Sequence, residues 1–124
     1  MDRLRAGSYQ AVTMTGRGGD VVGPMREVLA TADGLRVQLV TIEAGQRIPW
    51  HMHTSVSDTI LAVTGVVDVE VASEGHHLLR PGERWTIPEG TAHTVSGEGE
   101  QPCRFLNLHA GGKYDFQPVA RPTN

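Results

Sequence analysis

Cysteine is all but missing from this chain. Cys103 stands alone, so no internal disulfide can form and no thiolate-rich zinc site can be built; on a strand it reads as a small buried apolar side chain. Lysine is equally scarce, since all eleven basic residues except Lys113 are arginine. The Gly-rich stretch Gly16–Asp20 lacks the Lys-Ser/Thr ending and the helical pattern of a phosphate loop, and reads as a surface loop. No apolar run approaches the roughly 20 residues needed to span a bilayer, and no basic start is followed by an apolar stretch, so a cytoplasmic protein is expected. A net charge of −3 gives no general attraction for nucleic acid or an anionic membrane. Ser55 and Ser57 stand near histidines, but no strand-turn-helix elbow surrounds them, which argues against a nucleophilic triad.

What is present is glycine, proline and β-forming residues. With 15 Gly and 7 Pro in 124 residues, the chain reads as one domain of many short elements separated by turns, which favours an all-β fold. Leu35–Ile42 is a strand by composition and partial alternation. Val67, Val69 and Val71 share one face while Asp68 and Glu70 share the other, the period of a half-exposed strand. Further strands are expected at Pro49–His53, Thr59–Thr64, His76–Leu79, Trp85–Ile87, His93–Val95 and Cys103–His109. Met25–Ala30 reads as a short strand or arm that packs on a partner subunit. No helix longer than a turn or two is expected. Strands at this spacing fit a double-sheet jelly roll. Residues 1–34 form an N-terminal segment, 35–110 the barrel and 111–124 a tail that Tyr114 and Phe116 anchor across it.

Within the barrel, Gly45 to Gly65 holds His51 and His53, which on a strand project from one face about 6.5–7 Å apart and can converge on one cation. A second segment carries Gly82, Pro88, Gly90 and His93, where Pro fixes one backbone angle and Gly tolerates positive φ, so His93 is presented reproducibly. In this pair of segments the chain resembles the cupin family. The first cupin motif, Gly, five residues, His-x-His, then Glu and a distant Gly, is matched by Gly45, His51, His53, Asp58 and Gly65, with Asp58 in place of Glu. The second is matched by Gly82, Pro88, Gly90 and His93, with Gly97 in place of Asn. The resemblance implies a double-stranded β-helix, or jelly-roll barrel, and a homodimer.

His51, His53 and His93, with Asp58 as the fourth group, form a ligand set for one divalent transition metal, zinc first, with iron, manganese and nickel open. The Asp58 carboxylate falls about one methylene, roughly 1.3 Å, short of where a Glu would reach, so it is either a ligand or a group that orients one. His109, on the strand after the second motif, is either a further ligand or a general acid or base beside the metal. Ile48, Ile60, Trp85, Ile87 and Phe105 are expected to wall an apolar cavity poor in cationic groups, suited to a small, largely apolar organic substrate. Trp50 and Met52 alternate against the histidine pair and turn away from it, while His76 and His77 are expected at the surface.

Three functions follow. In the first, the metal is a Lewis acid for cyclisation, isomerisation or elimination while His109 or Asp58 moves a proton, as the resemblance to aromatic polyketide cyclases of the cupin type implies. The second is an Fe(II) dioxygenase. The third is a noncatalytic module that binds a small ligand.

Overall fold

A computed structural model describes residues 5–6 and 23–122. The loop expected at Gly16–Asp20 lies outside them. Eleven strands follow one another: β1 (Arg5–Ala6), β2 (Met25–Ala32), β3 (Leu35–Ile42), β4 (Arg47–Met52), β5 (Val56–Thr64), β6 (Val67–Val71), β7 (Gly75–Leu79), β8 (Arg84–Ile87), β9 (His93–Gly97), β10 (Cys103–Gly111) and β11 (Gln117–Pro118). A single 3₁₀ turn at Glu98–Glu100 is the one helical element among the described residues. Among the described residues no helix is long and apolar enough to cross a membrane.

The strands form two antiparallel sheets, ordered β1-β2-β3-β10-β5-β8 and β11-β4-β9-β6-β7, packed face to face as a jelly roll. Met25–Ala32 is a strand of this chain's first sheet, hydrogen-bonded along β3. Strand alternation explains the burial. Val67, Val69 and Val71 are buried while Asp68 and Glu70 between them are not, and Cys103, Phe105, Asn107 and His109 all point inward from β10.

Register then sorts the interior into layers. Across β3, β10 and β5 one row reads Val40, Phe105, Ala62, the next Gln38, Asn107, Ile60, and the next Arg36, His109, Asp58. One end of the barrel is therefore apolar, with Val40, Ile42, Ala62, Cys103 and Phe105 buried. The other end gathers polar side chains. Each buried apolar side chain contributes about 1.5–3 kcal/mol, so the apolar end holds the two sheets together while the polar end is left for chemistry.

Cys103 sits in the apolar end at 1% exposure, and burial pushes its thiol up to about 11. The thiolate, the reactive form, is thus nearly absent at neutral pH. A thiol-specific disulfide reagent at pH 8 is expected to leave the folded protein unlabelled and to modify Cys103 fully in denaturant; labelling of the native protein at the denatured rate would contradict this burial.

Candidate metal centre

The first motif lies on β4, and its geometry depends on a bulge. Ile48 pairs with Val95 and His51 with His93, so three steps on β4 match two on β9. The extra residue resets the alternation, which turns both Ile48 and His51 inward although they are three apart. Pro49, which has no N–H to give to the ladder, sits in that irregularity. Beyond it Trp50 and Met52 are half-buried and His53 is buried, as alternation requires.

The second motif is tied to the first through the backbone. The Gly90 N–H donates to the His53 carbonyl (2.7 Å), so the Pro88–Gly90 turn and the end of β4 are held together where each delivers a histidine. Gly65, which closes the first motif, has φ +70, and a Cβ there would lie 2.5 Å from the Pro102 carbonyl oxygen. Only glycine fits this crossing.

These constraints bring His51, His53, Asp58 and His93 together, with one ligand atom from each lying within 4.8 Å of the others. All four are at most 3% exposed. Each histidine gives its Nδ1–H to a main-chain carbonyl: His51 to Pro49 (2.7 Å), His53 to Asp115 (2.6 Å) and His93 to Thr91 (2.9 Å). A carbonyl only accepts, so in each neutral ring the lone pair is fixed on Nε2. The Nε2 atoms of His93 and His53 lie 2.9 and 3.3 Å from Asp58 Oδ2. Lone pairs facing a carboxylate at that distance repel, so each contact calls for a proton or a metal cation between the two atoms.

Electrostatics agree. Burial, then the neighbouring His93, lowers the His51 pKa to about 3, which the hydrogen bond to Pro49 only partly offsets, so this ring is neutral at physiological pH. Burial pushes His53 down, but the Asp58 carboxylate and the Asp115 carbonyl outweigh it and the pKa rises. Burial likewise pushes the Asp58 carboxyl up, yet the imidazoles of His109, His53 and His93 hold it well below the usual carboxylate range. The site therefore holds one anion, a neutral His51 and a His53 that keeps its proton more readily than usual, so a metal that binds here must displace that proton.

The set fits a transition metal. Neighbouring ligands at about 2.1 Å from an ion stand about 3.0 Å apart at right angles and about 3.4 Å apart at the tetrahedral angle, each within about 0.1 Å of one of the two contacts of Asp58 Oδ2, 2.9 and 3.3 Å. The cavity beside the cluster has a volume of about 10 Å³, room for one water-sized sphere. The shorter Asp58 side chain thus reaches the group without a Glu.

Behind the four lies an orienting chain. Asn107 Nδ2 donates to Asp58 Oδ1, Gln38 Nε2 donates to Asn107 Oδ1 (3.0 Å) and Arg36 Nη2 lies 3.4 Å from Gln38 Oε1. Asp115 fixes the tail, its carboxylate accepting from the Thr54 N–H (2.8 Å) and hydroxyl (2.7 Å) while its carbonyl takes the His53 proton. The tail then lays Phe116 flat on His51, with centroids 4.3 Å apart at 13°, and Tyr114 beside His109 at 4.8 Å. Tyr114 and Phe116 do cross the barrel mouth.

Several expectations are corrected. His109, expected as a ligand or as an acid or base beside the metal, is buried with its Nε2 3.6 Å from Asp58 Oδ1 and its ring 4.7 Å from that of His53, and is not among the four mutually close groups. Of the five apolar side chains expected to wall the cavity, only Ile48 does so. Ile60, Ile87 and Phe105 are 0% exposed because the inner faces of the sheets interdigitate at their level, and Trp85 stacks on His77 (3.9 Å). His77 is accordingly half-buried, whereas His76 is exposed and bonded to Asp68 (2.8 Å). The cavity is polar, lined by Gln38, Asn107 and the cation of Arg26 as well as Ile48, Tyr114 and Phe116. Gln38, Asn107, Asp115 and Arg26 are the site residues that the motifs did not reveal. A polar residue in the inward phase of an apolar strand was the available signal for Gln38 and Asn107.

Comparison with known proteins gives the family. Residues 38–109 match the cupin domain, and the chain belongs to the cupin family. None of the curated proteins matches it. Among solved structures, it is similar to an uncharacterised conserved protein with a double-stranded β-helix domain from Klebsiella pneumoniae (21% identity, 88% of this chain and 91% of that one, TM-score 0.71). It is also similar to KdgF from Halomonas sp. (23%, 73% and 82%, TM-score 0.65) and to oxalate oxidase (18%, 69% and 46%, TM-score 0.62). At these identities the likeness shows a shared fold.

Proposed function

We propose that this cupin is a metal-dependent enzyme that holds one divalent transition metal through His51, His53, His93 and Asp58 and acts on a small organic substrate by cyclisation, isomerisation or elimination. The observation that carries the reading is the gathering of three buried imidazoles, each with its Nδ1 bonded to a main-chain carbonyl, and one buried carboxylate, with one ligand atom from each within 4.8 Å of the others. Neutral nitrogen donors with one carboxylate suit zinc first, with iron, manganese and nickel close behind. The bound ion would supply a Lewis acid that polarises a carbonyl. His109, buried against Asp58 with its Nδ1 unpartnered among the described residues, is the group placed to carry a proton. Phe116 and Tyr114 pack on His51 and His109 and cover part of the cluster.

Because His109 stands outside the four, coordination positions stay open for an Fe(II) dioxygenase as well, and metal identity separates the two. Elemental mass spectrometry on untagged, anaerobically purified protein is expected to find about one ion per chain. That content should survive His109→Ala and fall in Asp58→Ala. Zinc or another redox-silent ion supports Lewis-acid chemistry, and iron in its place puts the dioxygenase first. No metal after reconstitution would sink both and leave a noncatalytic binding module.

A further inference from the structure

A second, larger cavity of about 400 Å³ lies beside the cluster, bounded by the β2–β3 turn and the end of β10 and lined by Asp33, Arg36, Val56, His109, Lys113 and Tyr114. Its size falls at the lower end of the range for small-molecule sites, about 300–1,000 Å³. His109 and Tyr114 line both this cavity and the small one at the cluster. A molecule here therefore lies one side-chain layer from the candidate ligands.

Two nitrogens of these lining side chains are buried behind the cavity surface and have no partner among the described residues. His109 is 2% exposed and its Nδ1 has none, and the Nε of Arg36 is buried without one. Such groups cost stability unless something satisfies them. Among the described residues Arg36 is in no ion pair; its guanidinium lies 4.6 Å from the Tyr114 ring centroid and bonds to Gln38 through Nη2 at 3.4 Å. Lys113, the chain's one lysine, adds a second cation against the single carboxylate of Asp33.

We propose that this cavity binds a small organic carboxylate, its two oxygens on the Arg36 guanidinium with support from Lys113, and its body against His109 and Tyr114. A planar fork of N–H donors matches a carboxylate in two parallel hydrogen bonds. Among the described residues no helix N-terminus accompanies the two cations to favour a phosphate. Arg36 lies on barrel strand β3 opposite His109, while Lys113 and Tyr114 lie on the tail that follows β10. Calling the ligand a substrate rests on the metal-enzyme reading above; its binding does not.

The test is calorimetry with acetate, propionate, succinate and benzoate, each beside its amide, and with inorganic phosphate. At least one acid is expected to bind about tenfold or more tightly than its amide. Arg36→Met should lose about tenfold or more and Arg36→Lys should recover part of it. Acids and amides of equal affinity, phosphate tighter than every carboxylate, or a folded Arg36→Met within about twofold of wild type would each overturn the proposal. Should Arg36→Met not fold, Lys113→Ala, an exposed change, must weaken the acid by about threefold, and an unchanged affinity refutes it. His51→Ala separates the two readings, because the carboxylate should still bind there. Metal without acid binding ends this inference alone; Arg36-dependent acid binding without metal ends the metal reading alone.

Discussion

Replacing His93 with alanine is expected to weaken metal binding more than about 100-fold, since changing even the groups behind a ligand costs 10–100-fold. The ring is fixed at both ends. Its Nδ1 gives a proton to Thr91 and its Nε2 lies nearer to Asp58 Oδ2 than that of His53 does, at 2.9 against 3.3 Å. Alanine removes one of three neutral donors and leaves a buried void that water cannot fill with the same geometry. The loss should also appear as stability, because an ion at 100 times its dissociation constant stabilises the folded state by about 2.7 kcal/mol. Added metal should therefore raise the unfolding midpoint of wild type and not that of His93→Ala. Without metal the two should differ less, since His93→Ala also relieves the crowding of lone pairs around Asp58. Competition with a fluorescent chelator measures the affinity; an unchanged value would show that the ion, if any, sits elsewhere.

How far the site could be read beforehand depended on the kind of constraint. His51, His53, Asp58 and His93 were legible because glycine and proline at fixed spacing mark the turns that deliver them. The strands from Leu35 to His109 were legible because their inward residues alternate with period two. The bulge at Pro49 was not, since alternation assumes that no residue is inserted. Arg26 was illegible for a different reason: it reaches the cavity only because β2 pairs with β3 and sets it opposite Val40, a tertiary fact that local pattern does not contain. Asp115 likewise acts across 62 positions of sequence from His53. The expected pocket wall failed on one point: apolar strand residues such as Ile60 and Phe105 face inward either way, and depth along the barrel decides whether they meet a cavity or each other.

Phe105 turns that distinction into an experiment. It is 0% exposed and lies in the row between Val40 and Ala62, one row below Asn107 and two below the His109–Asp58 pair. As core, Phe105→Ala should cost about 3–5 kcal/mol, the transfer term of the ring plus the cavity it leaves. As cavity wall, it would instead change ligand affinity at small cost in stability. Chemical denaturation of metal-free protein is expected to show the full loss in the midpoint with little change in slope. Metal stoichiometry in the folded fraction should stay near one, because no ligand, and none of the Nδ1 carbonyl acceptors at Pro49, Thr91 and Asp115, touches that row. A loss below about 1 kcal/mol with altered small-acid binding would instead place Phe105 in the binding wall. The apolar and polar ends of the barrel are thus separable: one sets how long the fold lasts, and the other sets what it holds.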